Sequence, residues 1–239
     1  MKYRVSHEDV DAFLKCPLLY YRFNLNSIPK TPREEVITDC LDHVFTTDMT
    51  YEVETPHNKN IIRYWNHRFN DLIEAGHNKV QLNSLNMTLL KLLEEINQSV
   101  FSKKFKTIAL DFPLQYKYNK ITYEDTVDFL LTNGTQVLPI YVIKNDRIGS
   151  RDNRVRFLNA LLSDKLKNIL PSAKLLQYAV IQFNVKYLFV HFNMYSINEK
   201  RFANSIRDLS NILKMIEMNL EVPNTNNCIN CSFRSQCRL

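Results

Sequence analysis

Four of the five cysteines in this sequence lie near its two ends, and this spacing limits the folds that the chain can adopt. Cys16 is near the start, whereas Cys228, Cys231 and Cys237 form a C-x2-C-x5-C pattern within the last twelve residues. Three thiolates spaced in this way can face one metal centre, and a tetrahedral ion or a cubane cluster then needs a fourth ligand. We expect Cys16 to supply that ligand, so that the two ends of the chain meet.

The cysteine spacing leaves the kind of metal centre open, because structural zinc and a 4Fe-4S cluster both accept four thiolates. The fifth cysteine, Cys40, lies on the apolar stripe of a predicted helix and is expected in the core. No apolar run resembles a membrane span or a signal peptide, which predicts a cytoplasmic protein with reduced thiols and no membrane partner. We therefore divide the chain into a main domain, residues 1–222, and a cysteine clamp, residues 223–239.

Glycine content and charge narrow the possible ligands. Only 3 of the 239 residues are glycine, so the chain cannot form a Walker loop or a dinucleotide-binding loop, each of which needs several glycines in one turn. The net charge is +6, and between Tyr141 and Lys174 eight cations outnumber three anions. Such a basic stripe is typical of a surface that binds a polyanion, with an ordinary solvated helix as the alternative.

Hydrophobic periodicity predicts an α/β fold with a central mixed sheet and a helical N-terminal lobe. The first part of the chain repeats apolar residues at helical spacing, with start signals at Ser6–Asp9, which resembles a capping box, and at Pro32. The period then falls to two residues, which predicts strands at 105–114, 115–118, 121–132 and 135–144. The remaining predicted elements are helices at 154–170 and 172–183, a strand at 186–195 and a helix at 199–219. This order predicts an α/β or α+β domain whose central sheet is flanked by helices.

The stretch F-x-x-C-P-x-x-Y-Y, together with the terminal cysteines, resembles a known family. It is similar to the iron-sulfur branch of the PD-(D/E)XK nucleases, which includes the AddB subunit of bacterial recombination nucleases and the exonucleases of CRISPR adaptation. The residues that carry the likeness are Ser6, Phe13, Cys16, Pro17, Tyr20, Tyr21, Cys228, Cys231 and Cys237. The resemblance implies a nuclease-type sheet and a structural 4Fe-4S cluster that clamps the two ends of the chain.

Shorter motifs extend the resemblance and imply catalytic residues. By this likeness His43 lies on a helix near a metal site, Asp111 precedes an apolar-Pro pair, and Asp128 binds a divalent metal ion, Mg²⁺ or Mn²⁺. Lys144 ends the third motif, in which a lysine helps to position the attacking water. Tyr178 matches the tyrosine of a Gln-x-x-x-Tyr motif that follows on a helix.

Two of these motifs depart from the family pattern. The third should read acid-x-Lys, but Val142 stands at the acid position, and Lys174 stands where the glutamine is expected. A metal site for hydrolysis needs hard oxygen ligands, and valine supplies none from its side chain. We therefore expect an inactive, DNA-binding protein. The alternatives are an active exonuclease in which Asp111 or Asp146 substitutes for the missing acid, and a zinc-stapled interaction protein.

The basic stripe predicts the DNA contacts. It follows the third motif in the sequence, so its cations are expected beside the nuclease centre. The DNA expected to bind there is a single strand or a duplex end. The cations expected to contact DNA are Arg147, Arg151, Arg154, Arg156 and Lys174. A degenerate nuclease of this kind would also be expected to act with a protein partner in a DNA-processing complex.

Overall fold

A computed structural model describes residues 3–23, 32–50, 57–144, 153–184 and 189–219. The helices in these ranges are α1 (His7–Lys15), α2 (Pro17–Phe23), α3 (Pro32–Thr50), α4 (His57–Glu74), α5 (Lys79–Ser99), α6 (Asn153–Ile169) and α7 (Glu199–Glu217). The strands are β1 (Tyr3–Val5), β2 (Lys106–Tyr118), β3 (Ile121–Thr132), β4 (Gln136–Lys144), β5 (Lys174–Leu175), β6 (Gln177–Asn184) and β7 (Phe189–Ser196). None of the described helices is both long enough and apolar enough to cross a membrane.

The first two helices are separated by a break at Cys16. The predicted capping box is confirmed at the start of α1, where the Ser6 hydroxyl accepts the N–H of Asp9 and the Asp9 carboxylate accepts the N–H of Ser6. Cys16 then adopts an extended backbone, as expected for a residue before proline, and Pro17 opens α2. The break leaves Cys16 buried at the junction of the two helices.

The strands form one mixed sheet in the order β1-β3-β4-β6-β7, with β2 antiparallel to β3. The predicted antiparallel run β2-β3-β4 is confirmed, but the predicted strands 105–114 and 115–118 are one strand, because β2 pairs with β3 from Lys106 to Tyr118. β4 and β6 are parallel, and α6 provides the crossover between them. The sequence did not predict β1, whose three residues pair in parallel with β3.

The predicted helix at 172–183 is wrong, because this segment forms β5 and β6. Pro171 follows α6, and the run from Tyr178 to Phe183 is apolar or aromatic at nearly every position. This run is buried because β6 lies between β4 and β7 in the sheet. Lys174 and Tyr178 are consequently strand residues, and the Gln-x-x-x-Tyr helix expected from the resemblance is not formed at 174–178.

Helices cover both faces of the sheet, which confirms the predicted α/β architecture. On one face, α3, α4 and α5 form the helical N-terminal lobe, whose core includes Trp65 and Cys40. The buried thiol of Cys40 has a raised pKa because burial disfavours the thiolate, and its position confirms the prediction that it packs in the core. On the other face, α1, α6 and α7 pack around a second core that includes Tyr141 and Phe157.

Candidate active-site crevice

A crevice opens in the sheet where β3 and β4 separate. These strands pair only between Phe129–Thr132 and Val137–Ile140, after which β4 continues along β6 as far as Lys144. β2 occupies one whole edge of β3, and β1 pairs with the other edge at residues 121–123. Residues 124–128 of β3 therefore face the end of β4 across a gap that no described strand fills.

Asp111 marks an irregularity beside this gap. Its φ of 46° is left-handed, although it lies inside β2. Asp tolerates this conformation better than most residues because its short polar side chain can hydrogen-bond locally. Since Leu110 pairs with Phe129 and Phe112 pairs with Val127, the register places Asp111 across from Asp128. Asp111 and Asp128 are therefore neighbours across the β2–β3 pair.

The alternation of side chains between the two faces of the sheet changes at Asp111 and Asp128. On β3, Val127 and Leu130 both have their side chains in the core beside α6 and α7, although they are three residues apart. β2 shows the same three-residue spacing. Same-face residues in a regular strand are two apart. The carboxylate of Asp128 lies in the crevice, where its Oδ2 accepts the N–H of Val142 at 2.8 Å.

The guanidinium of Arg154 fills the crevice from the first turn of α6. Its Nη1 and Nη2 donate to the two carboxylate oxygens of Asp128 at 3.0 and 3.1 Å, a bidentate ion pair. Nη1 also donates to the carbonyl of Val142 at 3.2 Å, and Nη2 donates to the carbonyl of Thr126 at 2.9 Å. Nε lies 3.3 Å from Asp125. One side chain therefore bridges the two diverging strands.

Asp125 is a second buried carboxylate at this site, with only 6% of its side chain exposed. It accepts the hydroxyl of Tyr123 at 3.0 Å and the N–H of Thr126 at 2.7 Å, and it lies 3.1 Å from Nδ1 of His7. Burial alone would raise the pKa of Asp125, but the hydrogen bond from His7 and the charge of Arg154 lower it below its usual value. Asp125 is therefore ionised at neutral pH.

The two cationic groups at the site have raised pKa values. Burial opposes the charge of Arg154, but the carboxylates of Asp128 and Asp125 outweigh burial and raise its pKa. Burial likewise opposes the protonation of His7, while its hydrogen bond to Asp125 and the charge of that residue raise its pKa above 6.5. The charges of the two carboxylates are thus balanced by side chains of the protein itself.

The arrangement does not fit the divalent metal ion that the family resemblance implies. Mg²⁺ and Mn²⁺ require carboxylate or carbonyl oxygens that point at the ion. Here both oxygens of Asp128 and the carbonyl of Val142 point at Arg154, and Val142 brings no carboxylate. Among the described residues, no group of three or more His, Cys, Asp or Glu side chains could hold a metal ion.

The expected DNA-contact residues are corrected at Arg154. With 9% of its side chain exposed and all three nitrogens of its guanidinium bonded within the crevice, it cannot reach a phosphate. Arg156 is half-buried, and it forms an ion pair with Asp208 at 3.2 Å. Lys174 is exposed, while Arg147 and Arg151 lie outside the described residues. Their roles in DNA binding stay predictions.

The other predicted catalytic residues occupy separate places. His43 lies in the helical lobe, stacked on Tyr64 with ring centroids 4.1 Å apart. Tyr178 is buried in β6, stacked on Tyr195 of β7. Lys144 is the last residue of β4, two residues after Val142 of the crevice. The structure therefore brings Asp128 together with the backbone of β4, as the resemblance implies, but Tyr178 belongs to an aromatic cluster in the core.

The helix that follows the N-terminal cysteine contacts the last described helix. Cys16 adjoins α2, and the hydroxyl of Tyr21 on that helix donates to the carbonyl of Ile216 in α7 at 2.7 Å. Cys16 and Cys40 form no disulfide. The predicted metal ligands Cys228, Cys231 and Cys237, and the predicted clamp at 223–239, lie outside the described residues. The four-cysteine site stays a prediction.

Sequence reasoning missed Asp125 and the role of Arg154. A signal for Asp125 was present, because the two-residue period of β3 places it on the same face as Ile121, Tyr123 and Val127, which are apolar or aromatic. A carboxylate on a buried face needs a partner. No local pattern marks Arg154 as that partner, since it is 29 residues from Asp125 in the chain.

Comparison with known proteins reveals a similarity at the level of structure. No protein-family model matches the sequence, and no curated protein matches it significantly. The chain is similar to the crystal structure of a protein from Eubacterium rectale described as a "putative exonuclease", with a TM-score of 0.56, 12% identity, and coverage of 100% of this chain and 89% of that chain. The fold is nuclease-like. This confirms the predicted fold class, a central mixed sheet of nuclease type flanked by helices.

A second solved structure, of a protein named SSO0001, aligns less well. Its TM-score is 0.33 and its identity is 10%, with coverage of 85% of this chain and 96% of that chain. A superposition this loose carries no argument about the fold. The fold assignment therefore rests on the first similarity and on the described sheet.

Proposed function

We propose that this protein binds DNA through its nuclease-like fold and does not cleave it, serving as a subunit in DNA processing, replication or recombination. The observation that carries the proposal is the crevice between β3 and β4. Asp128 stands in the crevice, but Val142 contributes only its backbone N–H and carbonyl. A crevice of the nuclease type without its second acid favours a retained binding surface over retained hydrolysis.

The absence of a second acid at Val142 supports the proposed lack of cleavage. Metal-assisted hydrolysis of a phosphodiester requires an ion that activates water and neutralises the charge that develops on the phosphate. Asp128, already hydrogen-bonded to the N–H of Val142, is a poor substitute for a set of hard ligands. We expect no cleavage dependent on Mg²⁺ or Mn²⁺ above background.

The proposed DNA contacts lie in the segment that joins β4 to α6. These two elements carry Val142 and Arg154, the residues that meet in the crevice. The segment contains Arg147 and Arg151, two of the cations of the basic stripe that are expected to contact DNA. Cations that neutralise phosphates release condensed counterions, so binding carried by them weakens steeply with salt.

Charge reversal tests the DNA-binding proposal. We expect Arg147→Glu/Arg151→Glu to weaken binding to a labelled single strand and to reduce the salt slope by about one unit per removed phosphate contact. The matched control is Lys79→Glu/Lys91→Glu on α5, which changes net charge equally at two exposed positions. Equal loss in both variants, or no binding at low salt, would contradict the proposal. Metal-dependent cleavage by the wild-type protein that is abolished by Asp128→Asn would instead support the active exonuclease.

We also propose that Cys16 and the three terminal cysteines hold a 4Fe-4S cluster in a reducing, cytoplasmic environment. The hydrogen bond from Tyr21 to Ile216 supports this, because it ties the helix after Cys16 to the end of α7, from which the chain continues to Cys228. We expect iron and sulfide after anaerobic purification, lost in Cys16→Ala and retained in Cys40→Ala. Stoichiometric zinc without iron would favour the zinc-stapled alternative.

A further inference from the structure

We infer that Arg154 is the resident cation of the crevice and takes the place that the nuclease resemblance assigns to a divalent metal ion. The inference depends on the proposed function only for the location of the site, and it holds whether or not the protein binds DNA. It rests on three observations about Arg154: the oxygen atoms that its guanidinium contacts, the balance of charges around it, and the packing that fixes its backbone.

The guanidinium engages the oxygen atoms that a metal ion would need. Both oxygens of Asp128, the carbonyl of Val142 and the carbonyl of Thr126 lie within 3.2 Å of Nη1 or Nη2. Carboxylate and carbonyl oxygens are the ligands that hard divalent ions prefer. The planar guanidinium matches a carboxylate in a bidentate manner, which makes this pair strong and directional. The oxygen set is thus complete without an ion.

The charge balance opposes a second cation. Asp125 and Asp128 supply two negative charges, which Arg154 and a partly protonated His7 already compensate. A divalent ion at Asp128 would have to displace the guanidinium, which is 9% exposed. A buried charge that loses its partner is strongly disfavoured. Binding of a metal ion would therefore leave the buried charge of Arg154 without its carboxylate partner, which is unfavourable.

The backbone of Arg154 cannot easily withdraw. Arg154 lies in the first turn of α6, and the next residues of that helix, Val155, Phe157 and Leu158, are almost completely buried in the core. Close packing of these side chains fixes the position of the helix. The backbone of Arg154 can move away from the crevice only if this core is disrupted, so the helix holds the side chain beside the carboxylates.

Mn²⁺ binding tests the inference. In the wild-type protein we expect Mn²⁺ titrations, followed by electron paramagnetic resonance, to show no binding that Asp128→Asn removes, and Mn²⁺ to leave the melting temperature unchanged. In Arg154→Ser, which frees the carboxylates, we expect a lower melting temperature that Mn²⁺ raises by at least about 3 °C. The double variant Arg154→Ser/Asp128→Asn should lose this response.

Arg156→Ser is the matched control, because it removes a cation two residues away on the same helix but leaves the crevice intact. It should show no response to Mn²⁺. Asp128-dependent Mn²⁺ binding by the wild-type protein would overturn the inference, as would a folded Arg154→Ser protein without an Asp128-dependent response. If Arg154→Ser does not fold, Arg154→Gln, which keeps more of the side chain, replaces it, and the wild-type titration decides independently. DNA binding by the wild-type protein is measured without metal, so the two proposals fail separately.

Discussion

Removal of Arg154 from its ion pair with Asp128 should be one of the most destabilising single substitutions in this fold. In Arg154→Met, Asp128 loses both oxygen contacts to the guanidinium, and the carbonyls of Thr126 and Val142 lose their donors. Removal of one partner of a buried ion pair costs about 3–5 kcal/mol. Because the side chain of Asp128 is 21% exposed and water can reach part of it, we expect about 3 kcal/mol, at the lower end of that range.

A double-mutant cycle measures the coupling energy between Arg154 and Asp128. Urea denaturation at pH 7 of the wild-type protein, Arg154→Met, Asp128→Asn and the double variant should give a coupling energy of about 1–3 kcal/mol, since residues in one network are not additive. The penalty of Arg154→Met should shrink at low pH, because the stranded carboxylates can take up protons. A loss below about 1 kcal/mol for Arg154→Met, in the range of exposed ion pairs, would refute the reasoning.

Three further outcomes follow from the described contacts. His7 has a folded pKa above 6.5, so its stabilising effect is complete below pH 6.5 and is lost as pH rises through the folded pKa. Urea denaturation across pH 6 to 8.5 should show this loss of stability in the wild-type protein. In His7→Gln the stability should depend less on pH. Asp111→Val should destabilise the protein by about 1–2 kcal/mol, because a β-branched residue tolerates a φ of 46° poorly, whereas Asp111→Gly should be better tolerated in the same assay. Tyr141→Phe should cost about 1–2 kcal/mol in thermal unfolding, because it removes the partner of the buried amide oxygen of Asn159, and an unchanged melting temperature would argue against that hydrogen bond.

Elements with a clear hydrophobic period were predictable from the sequence. The helices α3 and α6 and the strand β3 show such periods, and their predicted bounds lie close to the observed ones. β6 was mistaken for a helix because a strand buried on both faces has no two-residue period. β1 is too short to produce a pattern, and its position depends on pairing with a distant strand.

The site was only partly predictable for a related reason. Asp128 was found through its motif, and the missing acid at Val142 was found by the same comparison of motifs. The role of Arg154 depends on the approach of α6 to the gap between two strands, which is a tertiary relation. A basic residue in a basic stripe therefore looked like a surface cation, although the fold had buried it.

The parallel pairing of β1 with β3 has a consequence for how the chain folds during synthesis. Tyr3 pairs with Ile121, so these partners are 118 residues apart in the chain (121 − 3). At a typical elongation rate of about 5–20 residues per second, β1 is synthesised roughly 6–24 s before its partner. The helical lobe formed by α3, α4 and α5 has its helix contacts closer in sequence and can assemble within that interval. We therefore expect β1 to dock late in folding, and with it His7, so that the polar network around Asp125 is completed only after the lobe has formed.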